Sequence, residues 1–382
     1  MNKIKQKIKV YDTTLRDGEQ MPGVVFSPEE KIELASKIAE FGVDIIGIMP
    51  AISDKEEKAT KIISNIGFNS DITAATMLRK DHIDTAAECG AQRVILFSSL
   101  SDIHLKNKLR IAREENINKS LEFIEYAYGL GLKVDFAGED ASRADINYVI
   151  DFINAVSKKV DYFLPCDTLG VLTPFQTYEF IKEIKQKCNC KIGMHVHNDF
   201  GQATANTLAG LEAGAELFSG TFNGIGERTG NAPIEEVVMA LKIQYGTDLN
   251  VRYEMINEIC GLVERYSRVR LQKHKPISGR NAFSHESGIH VDGILKYPKN
   301  YENFDPAVIG KKRSILFGKH SGKCSLKYLF GDRFSDKELT IILDHIKEKS
   351  QLQRRAFSEK EIMDLCGMKK EYLGAITKSL TS

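Results

Sequence analysis

Eight short apolar runs recur along the first 245 residues, each separated from the next by a longer stretch with helical spacing. They cover 8–12, 44–49, 71–76, 93–97, 133–137, 161–164, 191–197 and 216–221. Each is rich in β-branched residues and bounded by Gly, Pro or polar residues. Continuous rather than alternating apolar character suits strands covered on both faces, as in a parallel sheet. The first intervening stretch is explicit about its ends. Ser27-Pro28-Glu29-Glu30 reads as an N-cap, a proline at the first helical position and the Glu of a capping box. Ile32, Leu34, Ala35, Ile38 and Ala39 follow at helix spacing, and Gly42 supplies the stop. Residues 54–66, 81–90, 112–130, 145–158, 174–187, 201–213 and 233–244 repeat the theme. Eight such units match the size of a (β/α)8 TIM barrel. An open doubly wound sheet is the alternative, and it requires a reversal of strand order.

Beyond residue 245 the pattern changes. Residues 253–268 look like another helix, and 271–333 read as irregular. Ser335…Glu338 and Ser358…Glu361 are capping boxes that each start a polar helix. The expected organisation is a catalytic barrel over 1–270 and a linker over 271–330 that contributes to the active site. A small, mainly helical C-terminal annex over 331–382 follows.

Composition narrows the class. The 382 residues carry 53 Lys+Arg against 52 Asp+Glu, a net charge of +1, and 42% of them are hydrophobic. Disorder is excluded by that core-forming share. Generic nucleic-acid binding is not expected without a cationic excess. No apolar stretch approaches the roughly 18–20 residues that span a bilayer, and residues 1–10 lack the apolar region of a secretory signal. The seven cysteines form no CxxC pair, and Cys188-Asn189-Cys190 reads as incidental. Reduced thiols in a cytoplasmic protein are the expectation.

In a β/α barrel, chemistry sits where strands end and the following loops begin. Polar residues concentrate there: 11–20, 136–140, 165–168, 195–199 and 223–231. His195-Val196-His197 is the sharpest signal. Residues i and i+2 on a strand project to one face, so two imidazoles can chelate one cation, with a carboxylate completing a facial set. Asp17 is the carboxylate of choice, although Asp17-Gly18 is also turn-forming. Arg16 is either a surface ion pair or a guanidinium that neutralises an oxyanion. Glu139 is either a partner for an Arg or an acid/base group with a raised pKa. Thr168 suits a helix cap as well as a site. Neither Gly224-Ile225-Gly226 nor Gly318–Lys323 makes a nucleotide-binding loop.

Taken together, these stretches resemble a known family. Residues 12–20, DTTLRDGEQ, are similar to the first signature of the isopropylmalate, homocitrate and citramalate synthases. HVHNDFG at 195–201 with ATAN at 203–206 resembles the second. NGIGERTGNA at 223–232, HESGIH at 285–290 and GKHSG at 318–322 follow in the family's order. GEDASRAD at 138–145, HVDGILK at 290–296 and RRAF at 354–357 are similar to the nitrogen-fixation-type homocitrate synthases. The length points the same way, since the barrel leaves only about 110 residues and no room for a further regulatory domain.

The resemblance implies an acyltransferase that performs a Claisen-type condensation of acetyl-CoA with a 2-oxo acid, then hydrolyses the thioester. It implies 2-oxoglutarate as the acid and homocitrate as the product. Other 2-oxo acids, as in isopropylmalate or citramalate synthesis, are the near alternatives, and a metal-dependent C–C lyase on the same barrel is a further one. It also implies one divalent metal ion on Asp17, His195 and His197, with Arg16 stabilising the alkoxide. Arg79 and Thr168 would bind substrate carboxylates, Gln20 would sit near the acyl group, and Asn231 would be a nearby polar group. Glu139 and His290 would transfer protons, with His290 reaching across a homodimer. One position departs. The family carries a Glu near the end of the second strand, shortly before Pro; in Asp44-Ile45-Ile46-Gly47-Ile48-Met49-Pro50 that carboxylate is absent.

Overall fold

The computed structural model describes Ile4 and residues 6–367. Two compact units separate at residue 271: Met1–Leu271 and Gln272–Ser382.

The first unit is a closed barrel of eight parallel strands, each paired with its neighbours in sequence and β1 with β8. The strands are β1 (Lys9–Asp12), β2 (Ile45–Ile48), β3 (Asp71–Thr76), β4 (Arg93–Ser99), β5 (Lys133–Glu139), β6 (Tyr162–Asp167), β7 (Lys191–Val196) and β8 (Leu217–Gly220). No strand-order reversal occurs, so the doubly wound alternative falls. Both faces are apolar for a physical reason. Tyr11, Ile45, Ala75, Ile95, Tyr162, Leu164, Cys166 and Leu217 pack together as one cluster. Their alternates Val10, Ile46, Ala74, Val94 and Phe163 are equally buried, as expected for strands sheathed by helices.

The caps form as the sequence predicts. Ser27 Oγ accepts from Glu30 N at 3.2 Å while the Glu30 carboxylate accepts from Ser27 N at 2.7 Å. The helix they open is Pro28–Phe41, and Gly42 closes it with φ +104°. Strand ends differ from expectation by up to three residues. β4, β5 and β6 run on to Ser99, Glu139 and Asp167, because polar residues at the barrel's C-terminal rim keep strand pairing after the apolar run stops.

Near the other rim, Arg93 plugs the barrel. Its guanidinium contacts Asp135 at 2.8 Å, Asp161 at 2.9 Å and Asp71 at 3.3 Å. Burial works against that charge, and the surrounding carboxylates hold its pKa above the usual range.

In the second unit the expectation of irregular chain over 271–333 needs correction. That stretch carries the helices Gly288–Lys296 and Lys323–Phe330. It also supplies two strands of a small sheet, β9 (Ser284–His285) and β10 (Ser314–Phe317), to which β11 (Phe357–Ser358) adds, in the order β11-β10-β9. Strands of two residues leave no periodicity to read. Val291, Ile315 and Phe317 share one core with Leu339, Ile342, Ile346 and Phe357, so the residues expected as linker and annex pack as a single body. Ser335 and Glu338 form the predicted capping box at the start of Asp336–Gln353. The end of the expected 331–382 segment lies outside the described residues. All seven cysteines are free thiols.

Candidate active site

The C-terminal ends of the strands surround a cavity of about 320 Å³. Of the residues singled out in the sequence, Arg16, Asp17, Gln20, Glu139, Thr168, His195 and His197 line it.

Asp17, His195 and His197 each offer one ligand atom, and these atoms lie within 4.8 Å of one another. Asp17 follows β1 and is 2% exposed. His195 is the fifth residue of β7. His197 lies just past that strand, in an isolated bridge to Asn231. The two rings sit 5.1 Å apart and nearly perpendicular. Ser219 on β8 lies 3.1 Å from His195 Nδ1, and Nε2 faces Asp17 Oδ2 at 3.6 Å. His197 Nδ1 and Asn231 Oδ1 are buried without a partner.

The electrostatics suit cation binding. Burial alone would raise the Asp17 pKa, but Arg16, the two histidines and a hydrogen bond from Asn231 hold it well below the usual carboxylate range. Burial pushes His195 down to about 3 and His197 down as well, against the pull of Asp17. A carboxylate beside two neutral imidazoles is the ligand form that divalent metals require. The donor set and the unpartnered buried atoms therefore fit such an ion.

Arg16 bonds Asp17 Oδ2 through one amino group, while its Nε is buried and unpartnered. Asn231 Nδ2 donates to Asp17 Oδ1 at 2.8 Å. The loop that delivers Asn231 depends on its glycines. A Cβ at Gly226 would lie 2.1 Å from Asn231 Nδ2, and one at Gly230 would lie 1.8 Å from the Gly224 carbonyl oxygen. Thr168 Oγ1 accepts from Asp140 N at 2.9 Å. Glu139, at the end of β5, accepts from Lys108 Nζ at 2.7 Å on both oxygens and from Ser99 Oγ at 2.6 Å. Burial would raise its pKa, but these partners outweigh burial and lower it, so the expected raised pKa is not found.

Two expected residues stand elsewhere. Arg79 is largely exposed and paired with Asp81 through Nε at 3.0 Å, outside the cavity lining. His290 belongs to the second unit, exposed on the helix Gly288–Lys296 with its ring 4.3 Å from that of Tyr301. Sequence reading also passed over lining residues. Tyr11, Lys108 and the apolar Met49, Met77, Ile95, Phe97, Ala137 and Leu164 all face the cavity. Tyr11, Ile95, Ala137 and Leu164 were detectable by counting inward-facing positions along the strands, whereas Lys108 lies in the short π-helical turn Leu105–Leu109, which has no such signal.

A closed parallel barrel with its polar cluster at the strand C-termini is the architecture of a barrel enzyme. The chain belongs to the HMGL-like family, which it matches over residues 7–263, and its relatives are named as 2-isopropylmalate, homocitrate and citramalate synthases. Residues 277–354 match the homocitrate synthase post-HMGL domain-like family. The chain is 43% identical over 350 residues to (R)-citramalate synthase CimA of Methanocaldococcus jannaschii, covering 90% of this chain and 71% of that one. Homocitrate synthase AksA of Methanothermobacter thermautotrophicus is 41% identical over 91% of this chain and 90% of its own length. 2-Isopropylmalate synthase 2 of Caldanaerobacter subterraneus subsp. tengcongensis is 41% identical over 94% of each. Among solved structures, the HMG-CoA lyase of Bacillus subtilis superposes with a TM-score of 0.63 at 21% identity, over 72% of this chain and 98% of that one. That likeness is one of fold. Among the described residues no helix is long and apolar enough to cross a membrane.

Proposed function

We propose that the chain is an acyltransferase that condenses acetyl-CoA with a 2-oxo acid and hydrolyses the resulting thioester. The observation that carries this reading is the convergence of Asp17, His195 and His197 beside Arg16 in one cavity. Those three residues would hold a divalent cation, which supplies Lewis acidity to the ketone of the 2-oxo acid. The unpartnered Nε of Arg16 is a donor for the oxygen that gains charge. Glu139, kept ionised by Lys108 and Ser99, is in the form that accepts a proton. Asn231 orients Asp17, and the Thr168 hydroxyl can donate to a carboxylate. Gln20 serves the acyl side. Arg79 serves a substrate carboxylate once exchanged from Asp81. His290 belongs to the proton-transfer machinery of a homodimer, contributed by the neighbouring subunit.

The resemblance favours 2-oxoglutarate and homocitrate as acid and product. The cavity favours a second reading, a 2-oxo acid with an apolar side chain. Its lining includes six apolar side chains, Met49, Met77, Ile95, Phe97, Ala137 and Leu164. The lining cations Arg16, Lys108 and Arg228 already hold Asp17, Glu139 and Asp199. A distal carboxylate would be desolvated there without a free cation. The test is free-thiol release from acetyl-CoA by purified protein with a divalent ion and pyruvate, 2-oxoisovalerate or 2-oxoglutarate. Preference for an apolar acid is the expected result. Preference for 2-oxoglutarate would restore the homocitrate reading, and no release with any acid would overturn the condensation.

A further inference from the structure

The second strand carries Gly47 where its face turns into the barrel, and the room this leaves is filled by Tyr11. A Cβ built on Gly47 would lie 2.9 Å from Tyr11 Cε2 and 3.0 Å from the Tyr11 hydroxyl oxygen, with the Asp12 carbonyl at 3.3 Å. The first of these is closer than real Cβ atoms come to a neighbour, and the other two are tight, so something must shift. The nearest neighbour of a side chain at position 47 is the phenol ring, which is what would have to give.

Tyr11 is 3% exposed, yet it lines the cavity that holds Arg16, Asp17 and His195. Its ring belongs to the apolar cluster of the barrel interior. Its hydroxyl donates to no described residue. A buried phenol is ordinarily hydrogen-bonded, and one left open toward a cavity is a donor awaiting an acceptor. Burial lifts its pKa, although the nearby Arg16 charge pulls the other way, so the group stays a neutral O–H donor across the working pH range.

We propose that Tyr11 is a further substrate-contacting residue of this site, donating a hydrogen bond to an oxygen of the 2-oxo acid from the barrel interior, in room that only glycine at position 47 leaves. This rests on the reading of the cavity as the 2-oxo acid site. The Tyr11 donor and Arg16 then serve the same bound acid, one neutral and one charged. Gly47 acts through Tyr11 as a positioning residue.

The test compares wild type with Tyr11→Phe, which keeps the ring and removes only the hydroxyl. Protein loaded with Mn²⁺ is titrated with pyruvate, 2-oxoisovalerate and 2-oxoglutarate by calorimetry, and turnover is measured beside it. Tyr11→Phe is expected to weaken binding of the preferred acid about tenfold and to lower kcat at least tenfold. KM for acetyl-CoA and bound Mn²⁺ should not change. Gly47→Ala should give a comparable loss in the Tyr11 background but little further loss in a Tyr11→Leu background, because the two residues are coupled through one contact. Tyr11→Phe with unchanged affinity and kcat would overturn the assignment, as would an equal cost of Gly47→Ala in both backgrounds. Wild-type protein that binds a 2-oxo acid but releases no CoA would overturn the condensation while leaving Tyr11 to be judged by binding alone. Wild-type protein that binds none of pyruvate, 2-oxoisovalerate and 2-oxoglutarate would overturn both.

Discussion

Asn231 fixes one oxygen of Asp17 and leaves the other to face the histidines. Its amide nitrogen donates to Asp17 Oδ1 at 2.8 Å, while Oδ2 lies 3.6 Å from His195 Nε2. The carboxylate is thereby aimed before any ligand arrives.

Removing that aim should weaken metal binding while Asp17, His195 and His197 all remain in place. Asn231→Ala is expected to lower affinity for a divalent ion about 10- to 100-fold, read by competition with a chromophoric chelator. Gly226→Ala should do the same, since its Cβ would overlap Asn231 and approach Asp17 Oδ1 at 2.9 Å. His195→Ala and His197→Ala should abolish both the bound ion and turnover. Metal content unchanged in the histidine variants would remove them as ligands.

Lys108 should govern the acid limb of the pH profile. Its ammonium bonds both Glu139 oxygens and helps to lower that carboxyl's pKa against burial. In Lys108→Met the pKa rises, so Glu139 takes up a proton at a higher pH. Activity that needs ionised Glu139 is then lost earlier as pH falls, and the acid limb of kcat moves to higher pH. An unmoved limb would show that Glu139 does not transfer the proton.

Side-chain volume at Ala137 should set acid preference. This residue lies on the apolar wall, and Ala137→Leu adds three carbons to it. KM for 2-oxoisovalerate is expected to rise about 10-fold or more, in line with the cost of excluding a methylene or two. KM for pyruvate should change little. Equal effects on both acids would place the substrate side chain elsewhere.

Arg93 should matter to folding and not to chemistry. Arg93→Leu strands Asp135, which is 1% exposed, without its guanidinium. Unfolding free energy in urea is expected to fall by about 3–5 kcal/mol, while kcat of the folded fraction stays near wild type.

Much of this was legible in the sequence because barrel strands are apolar on both faces and end in polar residues. The pair His195 and His197 shows its geometry by spacing alone, since period two on a strand puts both rings on one face. Asp17 is close in space but far in sequence, and its choice depended on knowing where β1 ends. Lys108 was not legible, because a lysine on the short π-helical turn after β4 has no pattern that says which carboxylate it will meet. Arg79 shows the reverse: a cation near a strand end that the fold turns outward to Asp81. The second strand showed in sequence only that an acid is missing, not what packs beside its glycine. Only packing reveals that Tyr11 of the first strand takes the space beside Gly47.

The barrel closes where β1 meets β8, with Lys9 opposite Leu217 and Asp12 opposite Gly220. On the ribosome this is a seam between the first barrel strand made and the last. At about 5–20 residues per second, β1 waits roughly 10–40 s for its second partner. During that interval the nascent chain presents an open β-edge, the kind of template on which chains pair wrongly. Truncation anywhere before Gly220 makes the interval permanent. Premature stop variants should therefore accumulate with chaperones or in insoluble material rather than as small stable barrels.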